Sequence, residues 1–306
     1  MPICVVGDPQ DLSAVYIAWL ARRRGIEVVE LCEDKLGIGW AFEFDDGRRR
    51  DGRIRVGNVD YPFSELGGAF VRLNSQPALP PGLDLTPEQQ HAFVAERRAG
   101  IHQLLQCLPC VVANRSSSGR SNGSKPYQMR LLANAGFEVP EWIVSNDETT
   151  VRSFARTCIE GTIYKSCTGL RSRVRRLDDE VLRRLRQGSS PIVVQEYIMG
   201  RDVRVHTVGH HAFATEVIGE GVDYRFEHEG SEYRPTTVPD QILRLCCKVA
   251  ESEGLTIAGF DFRVTDDGLW YCLEVNPVPT FLPYEMSTGQ PIGDALLDVF
   301  APVKAL

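Results

Sequence analysis

Lysine is scarce in this chain. It accounts for 5 of the 34 basic side chains, so arginine carries most of the positive charge and each lysine is informative. The overall balance is acidic, with a formal net charge of -7, which argues against nonspecific binding to nucleic acid. No apolar run approaches membrane-spanning length, so we expect no membrane partner.

Other common signals are also missing. The first residues are typical of a buried strand rather than a signal peptide, and the nine cysteines are an odd number. We therefore expect reduced thiols and a cytoplasmic protein. The strand–helix–strand pattern over residues 1–31 lacks Gly-x-Gly-x-x-Gly, so no dinucleotide site is expected there. No Ser-His-Asp or Cys-His set is evident, and His206, His210 and His211 are interpreted as structural or surface residues.

The most informative segment is a predicted β-hairpin over residues 257–277, with its turn at residues 265–268. If Thr265 lies opposite Gly268, then Asp261 opposes Cys272 and is diagonal to Glu274. One face of this hairpin is apolar and is predicted to join the core: Ala258, Phe260, Phe262, Val264, Leu269, Tyr271, Leu273 and Val275. The other face carries Asp261, Arg263, Cys272, Glu274 and Asn276.

Three oxygen-bearing side chains on that second face, Asp261, Glu274 and Asn276, suggest a metal site. The diagonal spacing of about 7–8 Å lets two carboxylates lean onto shared metal ions. Oxygen ligands without His or Cys suit a hard cation such as Mg²⁺, which often shares its coordination shell with phosphates. The alternative interpretation is a half-exposed sheet face with ordinary polar residues.

Two lysines occupy positions that suit phosphate binding. The Ser- and Gly-rich stretch 114–124 predicts a linker, followed by a helix that Ser124 caps and Gly136 ends. Lys125 begins this helix, where a cation is unfavourable to the helix dipole; an anionic partner would offset that cost, and a solvated lysine is the alternative. Lys165 ends a short strand and precedes a loop whose hydroxyls and backbone amides could contact phosphates.

The segment from residue 191 to residue 205 has the features of a nucleotide pocket. A buried strand leads into Tyr197 and Ile198, where backbone groups can read a base edge and apolar side chains can cover its faces. Asp202 follows and could accept hydrogen bonds from ribose hydroxyls, with Arg204 on the same strand face. The many arginines of 171–186 are interpreted mainly as the solvated face of a helix, with substrate binding as the alternative.

In this order and spacing, the motifs from about residue 122 to the C-terminus resemble the ATP-grasp superfamily. Two branches are the most similar, through Asp202-x-Arg204 and the segment 281–296: the ribosomal-protein glutamate ligases and the graspetide (microviridin-type) peptide ligases. The resemblance implies an α/β (α+β) protein with a three-part ATP-grasp fold and an N-terminal α/β pre-ATP-grasp domain. The expected units are the N-terminal domain 1–113, the linker 114–124, the central subdomain 125–198 and the C-terminal subdomain 199–306.

The resemblance also implies a role for each site residue. Lys125 and Lys165 would contact the ATP phosphates, while Gln195 and the backbone of Glu196, Tyr197 and Ile198 would hold adenine. Asp202 would take the ribose. Mg²⁺, with Mn²⁺ as the alternative, would be held by Asp261, Glu274 and Asn276. Arg204 and Arg225 would lie near the transferred phosphoryl group, where Lys165 also acts. The loop 166–173 departs from the family pattern because it is poor in glycine and rich in arginine.

The expected function is therefore ligation of a carboxylate to an amine. ATP would convert the acid to an acyl phosphate, which an amine then attacks, releasing ADP and phosphate. Because Arg263 lies on the metal-bearing face, it is expected to dock the acid, which we predict is a small polar carboxylate such as an amino acid or peptide. One alternative is a macrocyclase that forms side-chain ester or amide crosslinks in a ribosomal precursor peptide. Another is a catalytically silent nucleotide- or peptide-binding accessory protein, and a homo-oligomer is left open.

Overall fold

The computed structural model describes residues 1–45, 51–73, 79, 82–167, 174–186, 188, 190–219 and 232–300. Within these ranges the chain alternates helices and strands, and the strands form four separate sheets. Each sheet lies within one of the units predicted from the sequence, whose exact boundaries stay a prediction. No described helix combines the length and the apolar character needed to cross a membrane.

The N-terminal unit contains a parallel sheet with strand order β2-β1-β6-β7 and a small antiparallel sheet β3-β4-β5. Every residue of β1 is buried, as expected for a parallel strand covered on both faces. The strand–helix–strand pattern predicted over residues 1–31 is present. The elements are β1 (Ile3–Gly7), α1 (Leu12–Arg23), β2 (Val28–Cys32), β3 (Trp40–Glu43), β4 (Arg53–Val56), β5 (Val59–Pro62), β6 (Gly68–Arg72), α2 (Pro87–Cys107) and β7 (Val111–Ala113).

The middle of the chain forms an antiparallel sheet with strand order β10-β9-β11-β8. Its elements are α3 (Lys125–Ala135), β8 (Trp142–Ser145), α4 (Glu148–Ala155), β9 (Thr162–Ser166), β10 (Arg175–Arg176), α5 (Asp179–Arg186) and β11 (Ile192–Glu196). In α5 the apolar residues are buried while Arg183, Arg184 and Arg186 are exposed, which agrees with the interpretation of this helix as solvated on one face.

The third unit is built on a five-stranded antiparallel sheet with order β14-β13-β12-β15-β16. One face packs against α3 and α6 around a core that includes Phe260 and Phe262. Its elements are β12 (Arg201–Val208), β13 (His211–Ile218), β14 (Glu232–Pro235), α6 (Asp240–Ser252), β15 (Ile257–Val264), β16 (Trp270–Asn276), α7 (Leu282–Thr288) and α8 (Ile292–Phe300).

The N-terminal and C-terminal units share one hydrophobic core. Ile3 and Ile17 from the first unit belong to the same buried cluster as Phe281 and Leu296 from the last. A hydrogen bond also joins the two units: the Tyr16 hydroxyl donates to Glu285 at 2.5 Å. The two ends of the chain are thus held together on the side of the C-terminal sheet opposite to the Phe260 core.

The predicted hairpin is present, but its predicted register is wrong. Phe262 pairs with Cys272, and a bulge at Leu273 then brings Asp261 directly opposite Glu274. Pairing Thr265 with Gly268 and alternating residues from there predicts that these two carboxylates lie on a diagonal. A bulge inserts one unpaired residue and re-aims the side chains that follow it, an effect that strict alternation cannot include.

A longer turn, rather than the bulge, changes which residues belong to the core. Cys272, predicted on the polar face, is fully buried in the apolar cluster, and burial raises the pKa of its thiol well above the ordinary value. Leu269, predicted in the core, is exposed in the turn, while Tyr271 and Leu273 are half-buried. The turn is one residue longer than predicted, because Thr265 N–H donates to the Leu269 carbonyl at 3.0 Å. This extra residue places Cys272 opposite Phe262, on the core face.

The polar stretch 114–124, predicted as a linker, is firmly anchored to the C-terminal sheet. The Asn114 carboxamide accepts from the backbone N–H of Thr256 at 2.7 Å and donates to the carbonyls of Ile257 and Pro277. Gly119 N–H donates to the Glu253 carbonyl at 3.1 Å. These bonds fix the path of the chain between β7 and α3, and so fix the start of α3 relative to β16.

Candidate active site

A row of polar side chains crosses three neighbouring strands on the face of the C-terminal sheet that is opposite to the Phe260 core. Arg204 on β12 pairs in register with Asp261 on β15, which in turn pairs with Glu274 on β16. Because paired residues point to the same face of a sheet, these three side chains project together. The structure thus brings two of the predicted metal ligands and the predicted phosphoryl-contacting arginine into one site.

Arg204 and Asp261 form a buried ion pair. Nη1 of Arg204 donates to Oδ1 of Asp261 at 2.6 Å, and the two side chains are 5% and 6% exposed. Charges withdrawn from water to this extent are tolerated when each is paired, and removal of one partner leaves the other uncompensated. Asp261 is therefore held in one orientation.

Lys125 lies on the other side of the carboxylate pair. Its Nζ donates to Oε2 of Glu274 at 2.9 Å and to the Asn122 side chain at 3.2 Å. Ser124 caps α3 as predicted, by accepting from Tyr127 N–H, so Lys125 occupies the first helical position. Glu274 offsets the unfavourable position of this cation at the helix start, and contact of Lys125 with phosphate stays a prediction.

Gln128 is a site residue that sequence reasoning missed. It is fully buried, and its carboxamide makes two bonds to the backbone of Val275: Nε2 donates to the carbonyl at 2.8 Å and Oε1 accepts from the N–H at 3.3 Å. These two bonds, called the Gln128 clamp below, fix β16 at the residue between Glu274 and Asn276. The only signal in the sequence is its spacing, three residues after Lys125 on the same helix face.

The second lysine lies in the central sheet. Nζ of Lys165 donates to Oε1 of Gln195 at 2.8 Å, and both side chains are buried. The two predicted phosphate lysines are also linked through the backbone, because Lys125 N–H donates to the Cys167 carbonyl at 3.2 Å. The start of α3 and the end of β9 therefore adjoin each other.

The backbone N–H groups of the connector after β11 differ in whether they form hydrogen bonds. Glu196 N–H donates to the Glu141 carbonyl at 2.8 Å, and Tyr197 N–H donates to the Gly161 carbonyl at 3.0 Å. In the part of the chain that the structure describes, the N–H of Ile198 makes no backbone bond, and its side chain is buried. If adenine binds at this connector, as predicted from the sequence, the Ile198 N–H would be the donor for its edge.

Asp202 and Arg263, assigned to ribose and to the substrate acid, are bound to each other. Nε of Arg263 donates to Oδ1 of Asp202 at 3.0 Å, and Nη1 donates to the Gly200 carbonyl at 3.0 Å. The Arg263 guanidinium also lies 5.6 Å from the centre of the Tyr197 ring, whose face is stacked by Arg176. These contacts favour a role for Arg263 in stiffening the connector rather than in docking a substrate.

The environment of Arg204 includes His206, one of the three histidines predicted to be structural or surface residues. His206 is fully buried, and its Nε2 lies 3.5 Å from Nε of Arg204 and 3.2 Å from the Thr280 carbonyl. Burial, with a smaller contribution from Arg204, lowers its pKa well below the ordinary value, so the imidazole is neutral. The predicted site residue Arg225 lies outside the described residues, as does most of the loop 166–173.

The oxygen atoms of Asp261, Glu274 and Asn276 suit a hard cation whose remaining ligands are other oxygen atoms. No group of three or more His, Cys, Asp or Glu side chains that could enclose a metal occurs among the described residues. Asp261 and Glu274 face each other, and Asn276 follows on β16 with Oδ1 accepting from Val278 N–H at 2.9 Å. Two carboxylates and one amide make an incomplete oxygen site of the kind that Mg²⁺ completes with phosphates and water.

Comparison with known sequences agrees with this geometry. The model of the RimK-like ATP-grasp domain matches residues 123–300. Among curated proteins, the D-alanine–D-alanine ligase of Geobacillus kaustophilus is 26% identical over 110 residues, which are 31% of this chain and 30% of that protein. The chain therefore matches less than a third of the length of this relative.

Comparison with solved structures extends over the whole chain. The macrocyclase MdnC of Microcystis aeruginosa, bound with precursor peptide MdnA, gives a TM-score of 0.82 at 20% identity, covering 99% of this chain and 100% of that one. An ATP-grasp ligase of Chryseobacterium gregarium, in complex with ADP and a leader and core peptide, gives 0.85 at 17% identity, covering 100% and 98%. The predicted ATP-grasp fold is confirmed, and with the family model spanning residues 123–300 this chain belongs to the RimK-like ATP-grasp family.

Proposed function

We propose that this protein is an ATP-dependent ligase that joins a carboxylate to an amine through an acyl phosphate, with release of ADP and phosphate. The observation that carries the proposal is the alignment of Asp261 with Glu274, each carboxylate within 3 Å of a buried cation, Arg204 or Lys125. This arrangement concentrates charge of both signs where a triphosphate and Mg²⁺ need to be held together. Membership of the ATP-grasp family supports the same assignment.

The chemistry requires positioning and charge compensation more than a covalent protein nucleophile. A carboxylate is a poor electrophile, so its oxygen first attacks the γ-phosphorus of ATP, the bond from that phosphorus to the β–γ bridging oxygen breaks, and ADP leaves. The amine then attacks the acyl carbon, and phosphate departs. Mg²⁺, bound by Asp261, Glu274 and Asn276, would supply charge neutralisation for the phosphate oxygens.

The protein's own residues have distinct parts in this reaction. Lys125 and Lys165 are placed on adjoining elements and would bind phosphate oxygens from two sides. Arg204, fixed by Asp261, would stabilise the charge that develops on the transferred phosphoryl group. Ile198 would donate its N–H to the base. Each of these roles is one of binding or orientation, which is what in-line phosphoryl transfer demands.

The acid is proposed to be an amino acid or a peptide. The D-alanine–D-alanine ligase match supports amino-acid chemistry, although it covers 31% of the chain. The second candidate is a peptide macrocyclase that forms ester or amide crosslinks between side chains of a ribosomal precursor. The two peptide-bound structures support it, since their likeness extends over at least 99% of this chain. A short precursor peptide encoded beside this gene would favour the macrocyclase.

A catalytically silent accessory protein is the least supported candidate. Asp261, Glu274 and Asn276 are all present, and Lys125, Gln128 and Arg204 hold the strands that carry them. A complete set of proposed Mg²⁺ ligands, each held in position, favours catalysis over a silent role. We also propose a cytoplasmic location, since all nine cysteines are free thiols, as is usual in a reducing compartment.

The proposal is tested by product analysis with purified protein, ATP, Mg²⁺ and a panel of amino acids, dipeptides, acidic peptides and aliphatic acids, each with and without an amine. We expect ADP and phosphate in equal amounts, together with a condensation product that has lost one water. In a precursor peptide, loss of one water per crosslink without an added amine would identify the macrocyclase. Formation of AMP and pyrophosphate, or stimulation by long-chain acids alone, would contradict the proposal.

A further inference from the structure

Arg72 connects the N-terminal unit to the loop that follows the metal-bearing strand β16. It is the last residue of β6, and its Nη1 donates to the Val278 carbonyl at 3.2 Å. Val278 lies two residues after Asn276, one of the three proposed Mg²⁺ ligands. The side chain of Arg72 is 16% exposed, so most of it is withdrawn from water. An arginine that sequence reasoning did not assign to the site is therefore bonded to the border of that site.

Asp11 fixes the direction of the Arg72 guanidinium. Nε of Arg72 donates to Oδ2 of Asp11 at 3.0 Å, and Nη2 lies 2.9 Å from the same oxygen. Two contacts with one carboxylate restrict rotation of the planar guanidinium. Oδ1 of Asp11 accepts from Ala14 N–H at 2.9 Å and caps α1, so the carboxylate is itself anchored to a helix start. The third nitrogen of the guanidinium, Nη1, is thereby directed at the Val278 carbonyl.

The backbone of Arg72 is also fixed, by the neighbouring strand β1. Asp8 N–H donates to the Arg72 carbonyl at 3.0 Å. Gly7, which pairs with Arg72, has a φ of +141°, and a Cβ at residue 7 would collide with the Arg72 carbonyl oxygen. Only glycine allows this close approach at such a φ. The N-terminal sheet therefore holds both the main chain and the side chain of Arg72.

The loop on the other side of this contact orients Asn276. Oδ1 of Asn276 accepts from Val278 N–H at 2.9 Å, a side-chain turn that is typical of asparagine. A carboxamide oxygen has two lone pairs, so one remains for a cation. The direction of that lone pair depends on Val278, whose N–H binds Asn276 and whose carbonyl binds Arg72. The preceding carbonyl, of Pro277, accepts from the Asn114 side chain, so side chains from outside β16 hold two consecutive carbonyls of this loop.

We propose that Arg72 is a positioning residue for the Mg²⁺ site, because it orients the Asn276 oxygen by holding Val278. The inference rests on the proposed role of Asn276 as a metal ligand. Groups that orient a metal-binding side chain typically change metal affinity about 10–100-fold when they are removed. Asp261 and Glu274 are each oriented directly by a cation, whereas the neutral Asn276 is oriented through the backbone of its own turn. Arg72 thus gives the N-terminal unit a part in metal binding.

Binding of Mn²⁺ tests the proposal without turnover. Mn²⁺ is titrated into the full-length protein in the presence of ADP, and the unbound ion is measured by electron paramagnetic resonance, with protein-free ADP solution as the reference. We expect Arg72→Ala to raise the Mn²⁺ dissociation constant by about 10-fold. Arg72→Lys should restore part of the loss, because an ammonium cannot hold Asp11 and Val278 in the same geometry as a guanidinium. Wild-type Mn²⁺ affinity in Arg72→Ala would overturn the proposal.

A double-mutant cycle separates positioning from a general structural effect. Asn276→Ala removes the oxygen through which Arg72 is proposed to act. In that background Arg72→Ala should change the Mn²⁺ dissociation constant by less than about 2-fold, because the two substitutions remove the same contribution. An effect of Arg72 on the structure of the whole site would instead weaken Mn²⁺ binding equally in both backgrounds, and that result would overturn the proposal.

Arg24 offers a matched control. It also bridges the N-terminal and C-terminal units, since its guanidinium donates to Oδ1 of Asp298 at 2.5 Å and to the Asp294 carbonyl at 3.1 Å. Arg24→Ala should lower the midpoint of urea unfolding, as Arg72→Ala does, but should keep the wild-type Mn²⁺ affinity, because its partners lie on α8 rather than on the loop after β16. Equal loss of Mn²⁺ affinity in both variants would assign the effect to contact between the units and overturn the proposal.

A second variant covers the case in which Arg72→Ala does not fold. Asp11→Asn keeps a capping side chain at the start of α1 and removes the charge that holds Arg72. It should weaken Mn²⁺ binding in the same direction as Arg72→Ala, and its effect should also disappear in the Asn276→Ala background. An Asp11→Asn protein with wild-type Mn²⁺ affinity would count against the proposal.

The ligase proposal and the Arg72 proposal fail on different measurements. If wild type forms no ADP with any acid while the Mn²⁺ cycle gives the expected pattern, the ligase proposal is wrong and the role of Arg72 stands. If wild type forms ADP and Asn276→Ala weakens Mn²⁺ binding, but Arg72→Ala and Asp11→Asn do not, the role of Arg72 is wrong and the ligase proposal stands. Wild-type Mn²⁺ affinity in Asn276→Ala would remove Asn276 from the metal site and overturn the role of Arg72 with it.

Discussion

The guanidinium of Arg204 lies across the backbone of Gly259, so closely that a Cβ at residue 259 would come within 2.2 Å of its Nη2. Gly259 is in the middle of β15, where a glycine weakens a strand unless something must approach its backbone. Here the approaching group is the side chain that fixes Asp261. The glycine is therefore part of the site, although it carries no functional group.

Replacement of Gly259 with alanine tests this relationship. The new methyl group cannot coexist with the present position of Arg204, so Asp261 loses its buried partner. We expect kcat/KM for ADP formation to fall by about 100-fold, with a loss of about 1–3 kcal/mol in the free energy of unfolding. Steady-state kinetics and urea unfolding measure the two effects. Gly100→Ala in α2 is the control: its Cβ would meet only Phe42, at an ordinary 3.7 Å, so activity should not change.

A second prediction concerns Glu274→Gln. The substitution keeps the shape of the side chain and removes the charge that would bind Mg²⁺, so turnover should fall by orders of magnitude. The fold should survive, because the glutamine oxygen can still accept from Lys125, at a cost of about 1–2 kcal/mol. Glu180→Gln removes an exposed carboxylate paired with Arg184 and should behave like wild type. Wild-type turnover by folded Glu274→Gln protein would refute the metal assignment.

Much of this site follows from the sequence because local patterns encode it. Alternation predicted that Asp202 and Arg204 share a face, and the cap at Ser124 correctly placed Lys125 at the start of α3. The bulge at Leu273 could not be predicted, since it depends on packing between strands rather than on the residue types within one strand. Together with the extra residue in the turn, the bulge brings Asp261 directly opposite Glu274, while the longer turn alone places Cys272 on the core face.

Other features required knowledge of which distant segments meet. Gln128 contacts Val275, 147 residues away, and nothing in either local sequence indicates the contact. Arg263 was predicted to face a substrate because it shares a face with the metal ligands, but its neighbour across the strands is Asp202, which binds it. Pairing between non-adjacent segments is decided by tertiary packing. A sequence can therefore show which face of a strand carries a side chain without showing which neighbour binds it.

The clamp between Gln128 and Val275 gives a third prediction. Gln128→Ala leaves the buried backbone N–H and carbonyl of Val275 without their side-chain partner. The expected loss in unfolding free energy is about 2–3 kcal/mol, together with weaker binding of Mg²⁺–ATP because β16 is no longer fixed. Urea unfolding and nucleotide titration measure the two effects. Gln103→Ala, an exposed position on α2, is the control. Unchanged stability would show that the clamp does not hold β16.

Lys165 gives a fourth prediction. Lys165→Ala removes a buried cation that the Gln195 carboxamide orients, so the ATP dissociation constant should rise and kcat should fall together, each by about 10-fold or more. Calorimetric titration with a non-hydrolysable ATP analogue, followed by steady-state assays, measures both values. His210→Ala, in the exposed turn between β12 and β13, should leave them unchanged. A fall in kcat at constant affinity would restrict Lys165 to the chemical step.

The dependence of stability on pH gives the last prediction, through His206. Its folded-state pKa is well below 6.5 because the ring is buried and lies beside Arg204, so the unfolded chain binds a proton that the folded protein does not. Stability from this residue is therefore fully present above about pH 6.5 and is lost as the pH falls, by up to about 1.4 kcal/mol per pH unit. His102, whose pKa is also lowered, adds a slope of the same sign.

Comparison of wild type with His206→Gln isolates the contribution of His206. Glutamine keeps a polar group near Arg204 but does not titrate, so the curve of unfolding free energy against pH should be flatter between pH 5 and 6.5 than in wild type. Urea unfolding at half-unit intervals from pH 5 to pH 8 measures the difference, and His210→Ala is the control for an exposed histidine. Parallel curves for wild type and His206→Gln would mean that His206 is protonated in the folded protein, contrary to its burial beside a guanidinium.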